Sequence, residues 1–330
     1  MIAQNTDLFA YVDNFAKIEG TELIKVFGCE DSSVEYTIAI PTCKRTEHLK
    51  EAINSALNQD CSFAYNVIVV DNNPERDDDT EMMMASYKNT KNLSYYKNAE
   101  NLGMAGNWNR LFQLAKTKWV VMLHDDDMLF PYYLRRINDF ANKFPSLSLL
   151  NAGKVYWNGK DKIIKEREDK RIYKFDKYTN FPFFMFGAPT GCLFNTEDVR
   201  KIGGFDPTSY PSIDYVFVQK MCLSGKEVYA TKEKLMYYRV GENTSSKADT
   251  QILWLEKEYK IRQELAEILK IPNFIRDFVI LFEMKWRLRL LNRLIPNYTF
   301  LHYTAGNKFW GLLYGIYYSL ARRIMVKKIK

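Results

Sequence analysis

Asp125, Asp126 and Asp127 stand in a row one residue behind the apolar run 119–123. Adjacent carboxylates at the end of a buried strand repel one another and raise one another's pKa unless a cation or hydrogen-bond donors offset their charge. Magnesium and manganese suit that place. Such hard cations take oxygen ligands, keep only one or two protein carboxylates and leave their other positions to water and substrate phosphates. The chemistry open to these residues is therefore to hold a divalent metal against a diphosphate. The competing reading is an acidic turn that caps a helix ahead of Pro131. The aspartates alone do not choose between the two; their setting does.

Hydrophobic periodicity predicts a strand over 36–40 that runs into Pro41, then a helix over 46–59 with Leu49, Ala52, Ile53, Ala56 and Leu57 on one face. A second strand over 66–70 ends in the turn composition Asp71-Asn-Asn-Pro74. A strand over 93–97, a helix over 105–116 and the strand 119–123 follow. Strands that alternate with helices imply an α/β fold with a doubly wound, mostly parallel sheet, whose ligands bind beyond the carboxyl ends of the strands. Pro41 to Arg45, Asp71 to Asn73 and Asp125 to Asp127 would then share one rim. Further on, Asn158-Gly159 reads as a hairpin turn within 154–165 and 190–195 as a strand. Gly203-Gly204 forces a turn, and Asp214 opens a short helix over 215–223. A strand is expected over 235–240, then helices from Asp249 to about Leu294, broken at Pro272 and Pro296.

With 330 residues, 47% of them hydrophobic, the chain can bury a large core. Five scattered cysteines, with no Cys-x-x-Cys pair, point to a reducing compartment and away from structural zinc. No secretory signal pattern is visible. The net charge of +7 comes from the tail: residues 285–330 hold ten Lys or Arg and no Asp or Glu, leaving 37 basic against 40 acidic residues in the body.

In their order, Ile38-Ala-Ile-Pro-Thr-Cys-Lys-Arg45, Val69-Val-Asp-Asn-Asn73, Asn98-Ala-Glu-Asn-Leu-Gly103 with Asn107, Leu123-His-Asp-Asp-Asp-Met-Leu129, Gly203-Gly-Phe-Asp206, Ile213-Asp214 and Tyr238-Arg239 resemble the family 2 glycosyltransferases, over roughly residues 35–245. The resemblance implies the A-type glycosyltransferase fold and an inverting transfer from a nucleotide-diphosphate sugar, with a UDP-sugar the expected donor. It implies Mn2+ or Mg2+ on Asp127 and Asp125, Asp126 toward the sugar, and Asp71 reading the nucleotide. It further implies Pro41, Thr42 and Arg45 against the nucleotide, Asn98, Gly103, Asn107 and Arg239 along the donor, and Asp214 as the general base. An N-cap is the plainer role for Asp214, and a solvent loop the plainer role for 241–247. The chain departs from the family's usual pattern at His124 and Ile213, where acidic residues are common.

The tail has an uncharged aromatic core of 13 residues, Phe309 to Ala321, followed by the basic stretch 322–330. That is short of the roughly 20 residues a bilayer span requires. An interfacial helix fits, because aromatic rings favour the headgroup boundary and each Lys or Arg near anionic lipid adds about 1 kcal/mol. Docking on the body or on another subunit, as in a homo-oligomer, is the other reading. Nucleic acid is not expected, since no binding motif accompanies the charge. The expectation is a catalytic domain over 1–248 and a helical extension over 249–330. Together they would form a transferase on the cytoplasmic face of the cell membrane, acting on a glycan or lipid-linked acceptor of a bacterial envelope. A catalytically silent scaffold, or a nucleotidyltransferase, is the alternative.

Overall fold

A computed structural model describes residues 7–158, 168–182, 184, 186–241, 247–325 and 327–329. In chain order its elements are α1 (Ala16–Glu19), β1 (Leu23–Phe27), β2 (Tyr36–Thr42), α2 (Thr46–Leu57), β3 (Asn66–Asp71), α3 (Asp79–Met84), β4 (Leu93–Asn98), α4 (Gly103–Leu114), β5 (Trp119–Met122), β6 (Met128–Leu129) and α5 (Tyr133–Lys143). The second half supplies β7 (Leu147–Trp157), β8 (Ile172–Phe175), β9 (Cys192–Asn195), α6 (Thr196–Lys201), α7 (Ile213–Leu223), β10 (Glu227–Arg239), α8 (Ala248–Ile268), α9 (Asn273–Leu291), α10 (Lys308–Met325) and β11 (Lys327–Ile329).

The strands form one mixed sheet in the order β1-β4-β3-β2-β5-β9-β7-β10-β8-β11, with β6 pairing to β10. Four neighbours, β4, β3, β2 and β5, run parallel. This is the expected nucleotide-binding half. Antiparallel β9 then joins it to the parallel pair β7 and β10. Successive residues of β2 and β3 feed opposite layers, as the two-residue period of a strand requires. Ile38, Ile40, Val67 and Val69 pack with Leu49, Ile53 and Tyr133 on one face. On the other, Ala39, Ile68 and Val70 pack with Trp108, Leu111 and Phe112. Both faces are covered, which explains why β2, β3 and β4 are buried along their whole length.

Three departures from the sequence expectations have simple causes. β2 passes through Pro41 to Thr42, because β5 pairs with it only as far as Ala39 and the proline's missing N–H falls beyond that ladder. β10 is much longer than 235–240, since its first half pairs with β7 and β8 and carries charged residues that hid its period. Asp214 is not an N-cap: α7 starts at Ile213 behind Ser212, so Asp214 sits within the first turn. The Gly203-Gly204 turn is as expected. Both residues have positive φ, and a side chain at Gly203 would run into the Val12 carbonyl. The hairpin residue Gly159 and the loop residues 242–246 lie outside the described residues.

The extension beyond 248 is welded to the body. Ile261, Leu265 and Val279 share a core with Leu8, Phe181, Tyr215 and Val216. Arg262 is buried between Glu258, Glu283 and the Pro182 carbonyl. On α10, Tyr314 stacks on Trp286 and its hydroxyl donates to Glu283 at 2.9 Å. β11 then adds to the sheet as a strand antiparallel to β8, a feature invisible in a basic tail sequence.

Candidate functional site

The carboxyl ends of β2, β3, β4 and β5 converge on one rim, and two polar clusters occupy it. The first is closed. Asp71 is fully buried; its carboxylate accepts from the Asn73 N–H at 2.9 Å, the Tyr95 hydroxyl at 2.9 Å and Lys97 at 3.1 Å. Burial raises its pKa, against the pull of those donors. Lys97, buried as well, also pairs with Asp78 at 3.1 Å. Beside them the Asn98 amide donates to Asn72 and Asn107, each at 3.1 Å, and accepts from Arg110. Asn107 donates to the carbonyls of Val70 and Thr42. Asp71 and Asn98 have no accessible surface and Asn107 only 4%, so in this structure the three expected donor contacts turn toward one another and pin β2, β3, β4 and α4 together. Pro41 is likewise buried within β2 and shapes the rim from beneath. Gly103, by contrast, is exposed at the start of α4 with a positive φ.

The second cluster is open. Thr42 donates its hydroxyl to Asp125 at 2.8 Å, and Arg45 reaches Asp126 at 2.7 Å and Asp125 at 3.6 Å. The Arg239 backbone N–H donates to Asp127 at 2.8 Å, while its guanidinium donates to the Asp126 carbonyl, pairs with Glu51 and lies 4.4 Å over the Trp157 ring. Arg239 thus buttresses the aspartate loop. Burial pushes Asp127 up to about 7, with the neighbouring Asp126 adding to the rise, and Asp125 up to about 6. His124, stacked on Trp108, is pushed down to about 4 by burial and is neutral at pH 7.

A divalent cation fits these residues. His124, Asp126 and Asp127 offer ligand atoms within 4.8 Å of one another. The buried Asp127 Oδ2 and His124 Nε2 have no hydrogen-bond partner among the described residues, which is costly unless something else satisfies them. Asp125 stands outside this group, tied to Thr42 and Arg45. Of the expected pair, only Asp127 belongs to this group, with Asp126 and His124 beside it.

Asp214 occupies the first turn of α7, where its Oδ1 accepts from the Tyr215 N–H at 2.8 Å. A helix N-terminus favours the carboxylate, yet burial wins and lifts its pKa to about 7. Two residues link it to the aspartate loop. Lys154 on β7 lies within electrostatic range of both Asp127 and Asp214, and its ammonium donates to Asn151 and to the Ala188 carbonyl, each at 2.8 Å. Tyr238 on β10 lies within range of Asp126, Asp127 and Asp214. Sequence reasoning missed Lys154; its one signal is a lysine in an otherwise apolar strand, with no acidic residue at helical or cross-turn spacing.

Residues 37–203, just over half of the chain, match the family model for glycosyl transferase family 2. An uncharacterized glycosyltransferase of Methanocaldococcus jannaschii, MJ1057, is 24% identical over 194 residues, covering 59% of this chain and 66% of the relative. The minor teichoic acid biosynthesis protein GgaB of Bacillus subtilis is 22% identical over 271 residues, 77% of this chain and 29% of the relative. The chain thus spans less than two thirds of either. Among solved structures, S. aureus TarS 1–349 in complex with UDP-GlcNAc superposes with a TM-score of 0.53 at 16% identity, covering 80% of this chain and 82% of that one. The mannosyltransferase PcManGT from Pyrobaculum calidifontis, in complex with GDP-Man and Mn2+, gives 0.52 at 16%, covering 89% and 83%. These likenesses establish the fold, an A-type glycosyltransferase sheet with helices on both faces.

Proposed function

The chain belongs to glycosyl transferase family 2, and from that premise we propose that it moves a sugar from a nucleotide-diphosphate donor to a glycan or lipid-linked acceptor with inversion at the anomeric carbon. The observation that carries this reading is that Asp214 and Asp127, each raised by burial to a pKa of about 7, both lie within electrostatic range of Lys154 and Tyr238. Perturbed carboxylates that share one site mark a place where protons and charge are handled.

Asp214 takes the proton of the acceptor hydroxyl as that oxygen attacks the anomeric carbon. Its pKa of about 7 makes it a competent base at neutral pH without being wholly protonated. Attack opposite the leaving group passes through an oxocarbenium-like transition state and inverts the centre. Arg45, released from Asp126, reaches the departing diphosphate, for which a guanidinium has matching geometry. Thr42 and Gly103 border the nucleotide. Asp127 and Asp126, with His124, would hold Mn2+ or Mg2+, which would supply positive charge to offset that of the diphosphate. Support for a UDP-sugar comes from the TarS complex, and GDP-Man in PcManGT makes the base a matter for direct test.

The same reading puts the chain at the cytoplasmic face of a membrane, and the name of GgaB, a minor teichoic acid biosynthesis protein, supports a part in envelope-polymer assembly. No helix among the described residues is long and apolar enough to cross a membrane. On α10, however, Phe309, Leu312, Ile316 and Leu320 face outward, all at least half exposed, while Tyr314 and Tyr317 face the body. Such a half-docked helix rests on a lipid surface by its outer face. Leu312→Glu with Ile316→Glu is expected to abolish flotation with anionic vesicles; unchanged flotation overturns this placement.

The deciding experiment is a thermal-shift and hydrolysis screen of nucleotide sugars, with and without manganese, beside Asp127→Asn. A ligand that binds only the native state raises apparent stability with its occupancy. A manganese-dependent shift and slow nucleotide release with one donor, both lost in the variant, is the expected result. No shift with any donor would point to a catalytically silent scaffold. A product with retained configuration would overturn the inverting mechanism.

A further inference from the structure

Beyond the aspartate loop, a cavity of about 440 Å³ opens between β7, β8, β10 and α10. Its lining is unusual in charge. Lys154, Lys232 and Lys234 contribute to it, and none of the lining residues is Asp or Glu. The register of the sheet explains the grouping: Gly153 and Lys154 on β7 lie opposite Lys234 and Met236 on β10, which brings the three lysines onto one stretch of the strand pair. Lys154 and Lys234 spend their ammonium hydrogens on neutral acceptors, the Asn151 side chain and the carbonyls of Ala188 and Lys154. Burial holds Lys154 below the usual lysine pKa, and partial desolvation lowers the more exposed Lys234 as well. Aromatic side chains make much of the rest of the wall: Tyr156, Tyr173 and Tyr238 from the sheet, Tyr318 from α10, and Phe175, Phe184 and Phe186.

One end of this cavity meets the candidate catalytic site, since Lys154 and Tyr238, which line it, lie within range of both Asp127 and Asp214. A hydroxyl presented to Asp214 from this side would leave the rest of its molecule among the lysines and tyrosines. We propose that this cavity is the acceptor subsite and that the acceptor is an anionic glycan, with a phosphate or carboxylate group seated on Lys232 and Lys234 close to the reacting hydroxyl. The inference rests on the transferase reading above and adds to it the chemical class of the acceptor. Lysine is a compact point charge that suits either anion, and tyrosine rings give apolar faces for sugar or polyol carbons while their hydroxyls stay wet. Placing Tyr318 in the wall also gives the C-terminal extension a part in substrate binding, independent of any lipid contact.

The test uses the full chain, with the donor found by the hydrolysis screen, and the double variant Lys232→Gln with Lys234→Gln. Three probes serve as acceptors: a phosphodiester-linked polyol oligomer, an oligogalacturonate and neutral maltopentaose. Binding is read directly by titration calorimetry, so it does not wait on turnover, and transfer is read as KM and kcat. The expected result is binding and transfer with one anionic oligomer and not with maltopentaose. In the double variant KM for that oligomer rises about tenfold or more, as expected for losing charge-assisted contacts, with kcat and acceptor-free donor hydrolysis unchanged. Lys234→Arg, which keeps the charge, retains most of the affinity. Preference for the polyol phosphate or for the uronate tells which anion the lysines hold. Equal use of maltopentaose, absence of binding by both anionic oligomers, or a double variant with unaltered KM overturns the proposal. Loss of acceptor-free donor hydrolysis in the wild-type chain would instead sink the transferase reading, so the two failures are distinguishable.

Discussion

Two polar clusters lie side by side at the rim of the parallel strands, drawn from the same run of motifs, and they differ in what their atoms still lack. Around Asp71, Lys97, Asn98 and Asn107 each side chain is buried and bound to its neighbours. Around Asp127, His124 and Asp214 two buried ligand atoms have no partner among the described residues, and burial raises two carboxyls to a pKa of about 7. Buried polar groups are normally satisfied, and a satisfied network fixes geometry. An unsatisfied one is held ready for a ligand or for a proton. The closed cluster sets where the strand ends lie; the open one, carried on those ends, meets the substrate.

The contrast breaks first at Asp214→Asn. Loss of a general base costs roughly 10^2 to 10^4 in kcat, about 3–5 kcal/mol of transition-state stabilisation, while donor binding should stay within twofold. A kcat that falls less than tenfold would remove Asp214 from the chemistry. The matching change in the closed cluster is Lys97→Met, which leaves Asp71 and Asp78 as neighbouring carboxylates without their shared cation. Breaking a buried pair costs about 3 kcal/mol or more, read as a lower denaturation midpoint with unchanged slope. The folded fraction should keep its kcat. Should Lys97→Met instead lose activity at full stability, the division between scaffold and site would be wrong.

A milder test of the same division is Asn98→Ala, which strips partners from Asn107 and Arg110. About 2 kcal/mol of stability is expected to go, the cost of leaving buried polar groups unpaired, with KM for the donor unchanged. Direct donor contact by Asn98 would show as a raised KM at full stability.

Much of the open cluster was legible from residue types alone. Asp125 to Asp127 follow an apolar strand, an arrangement that needs a cation or hydrogen-bond donors to offset its charge, and its place at the strand ends singles out the cation. Periodicity located β2, β3, β4 and β5, so the rim itself could be placed. What stayed hidden was direction. An asparagine at a strand end reads the same whether its amide faces a ligand or a neighbouring loop, and the burial of Asp71 follows from Tyr95 and Lys97 on a strand more than twenty residues away. Lys154 and Lys234 were hidden for a related reason: their grouping depends on the pairing of β7 with β10, an adjacency between strands some eighty residues apart. Likewise β11 takes its place in the sheet from an open edge on β8, not from any β pattern of its own.

The smallest expected effect is also the most particular to an open site. Asp214 has a folded pKa of about 7 against about 4 in an unfolded chain. A carboxyl whose pKa is raised by folding contributes stability while it is protonated, and that contribution is lost as pH rises through the folded pKa. Activity runs the other way, because the base works only when ionised, so kcat should climb along a limb centred near pH 7. Asparagine cannot ionise and escapes the loss. Metal-free Asp214→Asn should therefore melt above the wild-type chain at pH 8, by a few degrees, with a smaller gap at pH 5. Asn98, which does not titrate, has no such signature: Asn98→Ala should lower the melting temperature by the same amount at both pH values. A gap for Asp214→Asn that does not change with pH would mean that its carboxyl is not held near neutrality, and the site would lose the property that sets it apart from its scaffold.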